Sequence, residues 1–503
     1  MSHGAQSEVL LALAGHGLSR PHAIAAAEID ESGRIARSHT YSALAGSVAR
    51  RAAHLAAATR AGDTVIGVLP SGIDAVAFLL AALGAGVRWA PMDARAAPAE
   101  IRALAQRTGA KLAVVRAAPA APGALAGVCP LLTFPEGDGD HEPLGPRASA
   151  GAGPESPRGA PLLRGSTGAI VLASSGTTAR PKLALRESAA LDADAAAVIA
   201  GTALTSADCV LVATSLSHSY GVDMLLATIS AGAALHIATG FSPAAIRHQV
   251  DCCATVLPGV PFTFEALARA APMSPGRLRL ALSAGAPLPA RVRKTFTATW
   301  GIAVGNLYGA TELGTVAMNV PAGAAAGAAP AGFVGKPLGG ARFRIVDPAD
   351  PRRQLAAGEE GHLAVWSPSM LSRYLDEETP LIDGHFLTGD LARLDTEGSL
   401  FITGRLTHLI DLGSFKVNPL EIEAQLLDHP GVADCAVVPV HASETRSRLR
   451  ALIVPREGHE PATPELLRAF LRPRLSASKI PRAFDLVASL PRSSSGKLLR
   501  GQC

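Results

Sequence analysis

Apolar positions fall along this chain in two alternating rhythms. Stretches such as "YSALAGSVARRAAHLAAATRAG" (41–62) carry alanine and leucine at helical spacing. Between such stretches lie short apolar runs, "TVIGVLP" (64–70), "KLAVVRA" (111–117) and "CVLVATS" (209–215), each bounded by Gly, Pro or Ser. Helix and strand in alternation predict an α/β fold with mixed to mostly parallel sheet. The longest apolar stretch, "DAVAFLLAALGAGV" (74–87), is shorter than the roughly 20 residues a bilayer requires, so it predicts a buried helix and no membrane span.

The rhythm breaks in two places. Residues 117–164 read as Ala, Pro and Gly with scattered acids, which predicts a long, partly disordered surface excursion, and "PAGAAAGAAPAG" (321–332) predicts a second flexible stretch. Near residue 405 the style changes. "VNPLEIEAQLLDHPGV" (417–432) predicts a helix with Asn418 as N-cap, Pro419 at its first position, Ile422 and Leu426 one turn apart, and a Pro-Gly stop. "ADCAVVPV" and "SRLRALIVP" then read as strands and "ATPELLRAFLRPRL" as a helix. The expected organisation is a large N-terminal domain over 1–405 and a small α+β C-terminal domain over 406–503, with no internal repeat.

Composition narrows the function. The 503 residues suffice for two domains and a large core. A net charge of +4 with no basic run gives no reason to expect a nucleic-acid partner. The six cysteines lack CxxC spacing, which indicates neither a zinc site nor a disulfide framework and reads as free thiols in a reducing cytoplasm. The apolar run near the N-terminus has no basic segment ahead of it, unlike a secretory signal. Only seven of the 46 basic residues are lysine, so each loop lysine is informative.

One such lysine ends "SSGTTARPK" (174–182). Successive backbone N–H groups in a Gly/Ser/Thr turn form a concave anion site, and hydroxyls add donors without bulk. Gly176 permits the backbone conformation, Ser174, Ser175, Thr177 and Thr178 can donate to phosphate oxygens, and Lys182 supplies a point charge. A Ser/Thr-rich surface turn is the plainer alternative for this loop alone. It is not a Walker A loop, and "SSSGKLLR" near the C-terminus fails that pattern too, because Leu498 follows the lysine.

The loop closely resembles the signature of the adenylate-forming (AMP-binding) superfamily, which comprises acyl-CoA and aryl-CoA synthetases, nonribosomal peptide synthetase adenylation domains and luciferase. Further segments resemble its later motifs in the same order: "SAGAPLP" (283–289), "NLYGATELG" (306–314), "LTGDLARLDTEGSLFITGR" (387–405), "GRLTHLIDLGSFKVNPLEIE" (404–423) and "PRSSSGKLLR" (491–500). The resemblance implies an ATP- and Mg2+-dependent activation of a small-molecule carboxylic acid, fatty or aromatic, as acyl-AMP, with loss of pyrophosphate, followed by transfer to a thiol. Such chemistry brings two anions together, so cations must offset the charge developing at the α-phosphorus.

Carried over residue by residue, the resemblance makes Glu312 the magnesium-associated glutamate and Thr311 an α-phosphate contact. Tyr308 and Gly309 would flank adenine together with Gly285, Ala286 and Pro287. Asp390 would accept from both ribose hydroxyls, Arg405 would contact ribose and phosphate, and Lys497 would reach the α-phosphate and the substrate carboxylate. His218 would sit beside an acyl pocket lined by Ser219, Gly221, Ser283 and Asn306, although a histidine in an apolar stretch fits a packed core role equally well. Amino-acid-activating relatives place an aspartate where Ser219 falls here, which argues against an α-amino acid substrate; Asp223 lies close by.

Four positions depart from the family pattern. Ala179 replaces a glycine, Thr407 occupies the hinge position usually held by Asp or Lys, and Asp411 and Ser414 alter a segment that bears on the thiol tunnel. Two acceptors therefore stay open: CoA, or the phosphopantetheine arm of a separate acyl or peptidyl carrier protein. A non-catalytic nucleotide- or acyl-binding relative is the third reading, opposed by the retention of Lys182, Glu312, Asp390, Arg405 and Lys497. The C-terminal domain is expected to be mobile and to rotate between the two half-reactions.

Overall fold

The computed structural model describes residues 7–116, 123, 125–134, 168–174, 181–269, 274–321, 330–406, 410–411, 416–443, 446–459, 462–475, 479–492 and 498–503. The architecture is α/β, as the alternating pattern predicts. Thr40 caps the helix Tyr41–Ala58 through its hydroxyl, which accepts from Ala43 N, and the helix buries Leu44, Val48 and Leu55 on one face. The helix Ile73–Gly84 is apolar all round and has ten of its twelve residues buried, which suits a layer covered on both sides.

Among the described residues, a seven-stranded and a fourteen-stranded sheet sandwich that layer. The smaller has seven strands, with a parallel core of Thr64–Leu69, Arg88–Asp93, Leu112–Arg116 and Ala169–Ala173. The larger has fourteen strands: Cys209–Val212, Ala234–Ala238, Val256–Gly259, Leu280–Ser283 and Val304–Ala310 run parallel, and the chain then turns antiparallel at Gly314–Asn319. The largest buried cluster takes Val65, Trp89 and Ile170 from one sheet and Val210, Leu235 and Val256 from the other. The carboxyl ends of the parallel strands deliver Ser283 and the segment 306–310 to one edge, where open α/β sheets form their ligand crevice.

The C-terminal segment has a separate core. Asn418 Oδ1 accepts from Leu420 N, Pro419 opens the helix Pro419–Leu427, and Ile422 and Leu426 pack on the strands Val432–Ser443 and Arg446–Pro455. The helix Pro464–Leu471 stops short of the apolar pattern because Pro473 follows.

Two sequence expectations change. The run 117–164 is not all excursion: Leu131–Phe134 adds a parallel strand beside Leu112–Arg116, and Leu125 is buried. The cysteines do not all stand apart either, since Cys209, Cys253 and His236 place their ligand atoms within 4.8 Å of one another, a grouping invisible to CxxC spacing because its members lie on separate elements. Among the described residues no helix is long and apolar enough to cross a membrane.

Candidate active site

Asp390 and Arg405 face each other on the adjacent antiparallel strands His385–Leu394 and Leu400–Arg405. That register brings Arg405 Nε to 2.6 Å from Asp390 Oδ1, while the Tyr308 hydroxyl donates to Oδ2 at 2.6 Å. Asp390 is buried, and burial together with its charge pushes the Tyr308 phenol well up, so Tyr308 stays a donor. A carboxylate offers about four acceptor sites, so Asp390 can take these two donors and still accept from a diol. The turn before it is pinned by a residue that motif reading missed: Gly389 N donates to His362 Nε2 at 2.8 Å.

Glu312 sits one turn beyond the strand Val304–Ala310. Its Oε1 accepts from the Tyr374 hydroxyl at 2.8 Å. Tyr374 lies on a two-residue strand paired with Leu183–Glu187, which follows Lys182 directly, and the Lys182 ammonium stands 5.1 Å from the Tyr374 ring centre. Lys182 also pairs with Glu377 at 2.7 Å. Tyr374 thus joins Lys182 to Glu312. Thr311 is half-buried beside Glu312.

The turn after Glu312 rests on a buried ion network. Arg186 donates to Asp194 at 2.7 Å and to Asp223 at 2.8 Å, with Nε on Ser369 O at 3.2 Å. Asp194 Oδ1 in turn accepts from Thr315 N at 2.8 Å. Gly314 adopts φ +68°, and a side chain there would run into Arg186 and Asp194. Ser369 Oγ holds Leu313 O and Leu371 N holds Glu312 O, both at 2.7 Å. Backbone and side chain of Glu312 are therefore held from several sides.

The segment 174–182 is closed at its base, where Ser174 N donates to Lys182 O at 2.8 Å. Ser175, Gly176, Thr177 and Thr178 lie outside the described residues. Ser174 Oγ and Ser283 Oγ are buried hydroxyls with no hydrogen-bond partner among the described residues. Gly285, Ala286 and Pro287 form an exposed loop directly after Ser283, and Gly309 is half-buried in the strand beside Tyr308.

On the acyl side the expected residues divide. His218 is exposed at the N-cap of the helix Ser219–Ser230, so it is not a packed core histidine. Gly221 is buried where a side chain would collide with Ser215 O. Ser219 Oγ donates to Asp223 Oδ2 at 2.9 Å, and Asp223 is otherwise paired with Arg186. Burial and the Asp194 charge push the Asp223 carboxyl well above the usual range. Asn306 Nδ2 donates to Phe333 O at 2.7 Å.

Lys497, Thr407 and Ser414 lie outside the described residues. The ends of the lysine loop are nevertheless anchored. Arg492 bridges to Leu498 and pairs with Asp434 at 2.6 Å. Arg500 donates to both oxygens of the buried Glu423 at 2.6 Å. This bidentate pair is a second feature that motif reading missed, although Arg500 stands inside the quoted stretch.

The sequence pattern of the family described as AMP-binding enzyme matches residues 18–375, and that of the AMP-binding enzyme C-terminal domain matches residues 421–497. A feruloyl-CoA synthase of Amycolatopsis sp is 30% identical over 478 residues, covering 92% of this chain and 93% of its own. A fatty acid–[acyl-carrier-protein] ligase, ScoC of Streptomyces coeruleorubidus, is 32% identical over 44% of this chain and 43% of its own. ATP-bound MatB from Rhodopseudomonas palustris superposes with a TM-score of 0.84 at 25% identity, covering 99% of each chain.

Proposed function

The chain belongs to the AMP-binding enzyme family, and from that premise we propose that it is an AMP-forming acid–thiol ligase acting on a fatty or aromatic acid. In the first half-reaction a carboxylate oxygen attacks the α-phosphorus of ATP, and the bridging P–O bond to pyrophosphate breaks. In the second, a thiol attacks the acyl carbonyl, AMP leaves, and the thiol proton passes to solvent.

The observation that carries this reading is the Tyr308–Asp390–Arg405 cluster: two donors orient a buried carboxylate whose remaining lone pairs suit a ribose diol. The Ser174 hydroxyl and Lys182 would hold phosphates, with Ser175, Gly176, Thr177 and Thr178 completing the loop. Glu312, a carboxylate oriented by Tyr374, offers the hard oxygen that Mg2+ prefers. When bound, that ion would offset phosphate charge. Lys497 would enter from a C-terminal domain over 406–503 that turns about Thr407 against the domain over 1–405, in a reducing cytoplasm.

The acid is a non-amino acid on this reading. An α-ammonium needs a buried anionic partner, and Asp223 is engaged by Arg186 and Ser219. CoA is the proposed acceptor. The similarity to ScoC favours a second reading, in which the acyl group passes to the phosphopantetheine arm of a carrier protein.

ATP–pyrophosphate exchange without thiol, over fatty, aryl, dicarboxylic and amino acids, tests the proposal. Exchange with a non-amino acid is the expected result. Exchange with amino acids alone would overturn the acid class, and silence with ATP bound would overturn adenylation itself and favour a non-catalytic relative. Adding CoA, or a carrier protein bearing a free phosphopantetheine thiol, to the active acid then separates the two acceptors.

A further inference from the structure

We propose that Cys209, His236 and Cys253 form a binding site for a soft divalent cation of the zinc type, separate from the nucleotide site. Cys209 opens the strand Cys209–Val212, His236 stands in the neighbouring strand Ala234–Ala238, and Cys253 follows the helix Pro243–Cys252 that packs on them. Their ligand atoms lie within 4.8 Å of one another. A tetrahedral zinc with Zn–S near 2.3 Å and Zn–N near 2.0–2.1 Å sets its sulfur and nitrogen ligands about 3.6 Å apart. Cys253 Sγ and His236 Nδ1 are 3.7 Å apart.

The surroundings suit an ion. Gln249 Oε1 is 2.7 Å from His236 Nδ1 and 3.2 Å from Cys253 Sγ, and Gln249 Nε2 is fixed to Gly33 O at 2.6 Å. Two donors therefore converge on one amide oxygen in a pocket where His236 and Gln249 are both buried. A cation would take their place: two metal–sulfur bonds and one metal–nitrogen bond at Nδ1 form, the S–H bonds of Cys209 and Cys253 and the Nδ1–H bond of His236 break, the two thiol protons leave to solvent, and the imidazole carries its one remaining proton at Nε2 instead. The imidazole ligates in its neutral form, and Gln249 Oε1 stands ready as a fourth, oxygen ligand. Two thiolates and an imidazole select zinc or a similarly soft ion over Mg2+.

An open recess of about 530 Å³, lined by these side chains with Arg34, His248 and Cys252, supplies the entry path. The cluster stands at the amino end of the strand Cys209–Val212, opposite the carboxyl end that leads to His218. Its role on this geometry is to tie the helix Pro243–Cys252 to the sheet.

The test uses the full chain, reduced and stripped with chelator, titrated with Co2+ and then Zn2+. The expected result is one equivalent of Co2+ with the strong visible bands of a tetrahedral site and a thiolate charge-transfer band, displaced by one equivalent of Zn2+. Cys253→Ser should weaken binding at least about 100-fold, beyond what loss of an outer partner causes. Cys252→Ser, on the exposed side of the same recess, should leave the spectrum unchanged and shows that substitution here does not itself abolish binding. Bound Zn2+ should raise the melting temperature of the wild type and not of Cys253→Ser. Absence of a cobalt–thiolate band at saturation, or a band kept in Cys253→Ser and lost in Cys252→Ser, would overturn the assignment.

Discussion

The Tyr374 hydroxyl donates to Glu312 Oε1 at 2.8 Å while its ring lies 5.1 Å from the Lys182 ammonium. One side chain thus fixes the carboxylate and flanks the cation that the proposed reaction needs. Burial and the Glu312 charge both push the Tyr374 phenol up, which keeps it a donor. Tyr374→Phe removes a hydrogen bond to a charged group, worth about 1.5–3 kcal/mol, and should slow pyrophosphate exchange roughly 10- to 100-fold. The Mg2+ requirement should rise with it. An unchanged rate and unchanged Mg2+ dependence would show that Tyr374 only fills space.

Arg186 supports the same turn from beneath. It is fully buried between Asp194 and Asp223, and Asp194 carries the backbone of Thr315. Removing one member of a buried network leaves the others uncompensated and costs about 3–5 kcal/mol. Arg186→Met should therefore lower the urea midpoint strongly. Asp223→Asn keeps a hydrogen-bonding group and should cost less. Equal, small losses in both variants would mean that the network adds little.

How much of this was legible in the sequence depended on whether a signal was local. The cap at Asn418, the proline after it and the buried helix Ile73–Gly84 follow from residues a few positions apart, so reading and structure agree. Tyr374, Arg186 and His362 act on partners 62, 37 and 27 positions away, and nothing in their own neighbourhoods marks them. The Asn306 amide likewise takes its partner from a distant strand, donating to the Phe333 carbonyl. The strand Leu131–Phe134 was hidden by its Ala, Pro and Gly surroundings, where composition outweighed four apolar-rich residues.

Lys497→Ala should cut adenylation roughly 100- to 1,000-fold, the scale of losing one donor to a charged transition state, and leave thioester formation from supplied acyl-AMP nearly intact. Arg500→Ala should reproduce this in weaker form, because Arg500 anchors the end of the loop through both oxygens of Glu423. Measuring each half-reaction separately decides the matter. Equal loss in both half-reactions would sink the account of a turning C-terminal domain.

His362 makes the turn before Asp390 sensitive to acid. Gly389 N–H donates to its Nε2 at 2.8 Å, so that nitrogen must carry no proton, and burial holds the imidazole below its ordinary 6.5. The unfolded chain binds a proton below about pH 6.5 while the folded chain resists it, so stability falls as pH drops from 6.5 towards the lower folded value. Within that window the turn stays intact and the melting temperature declines. Below it His362 charges, the bond from Gly389 is lost, and ATP affinity should fall as Asp390 loses its placement. His362→Gln offers an acceptor that does not titrate, so its melting temperature and ATP affinity should depend less on pH between 7.5 and about 5. A wild-type and variant pair with the same pH profile would remove His362 from the account of the ribose site.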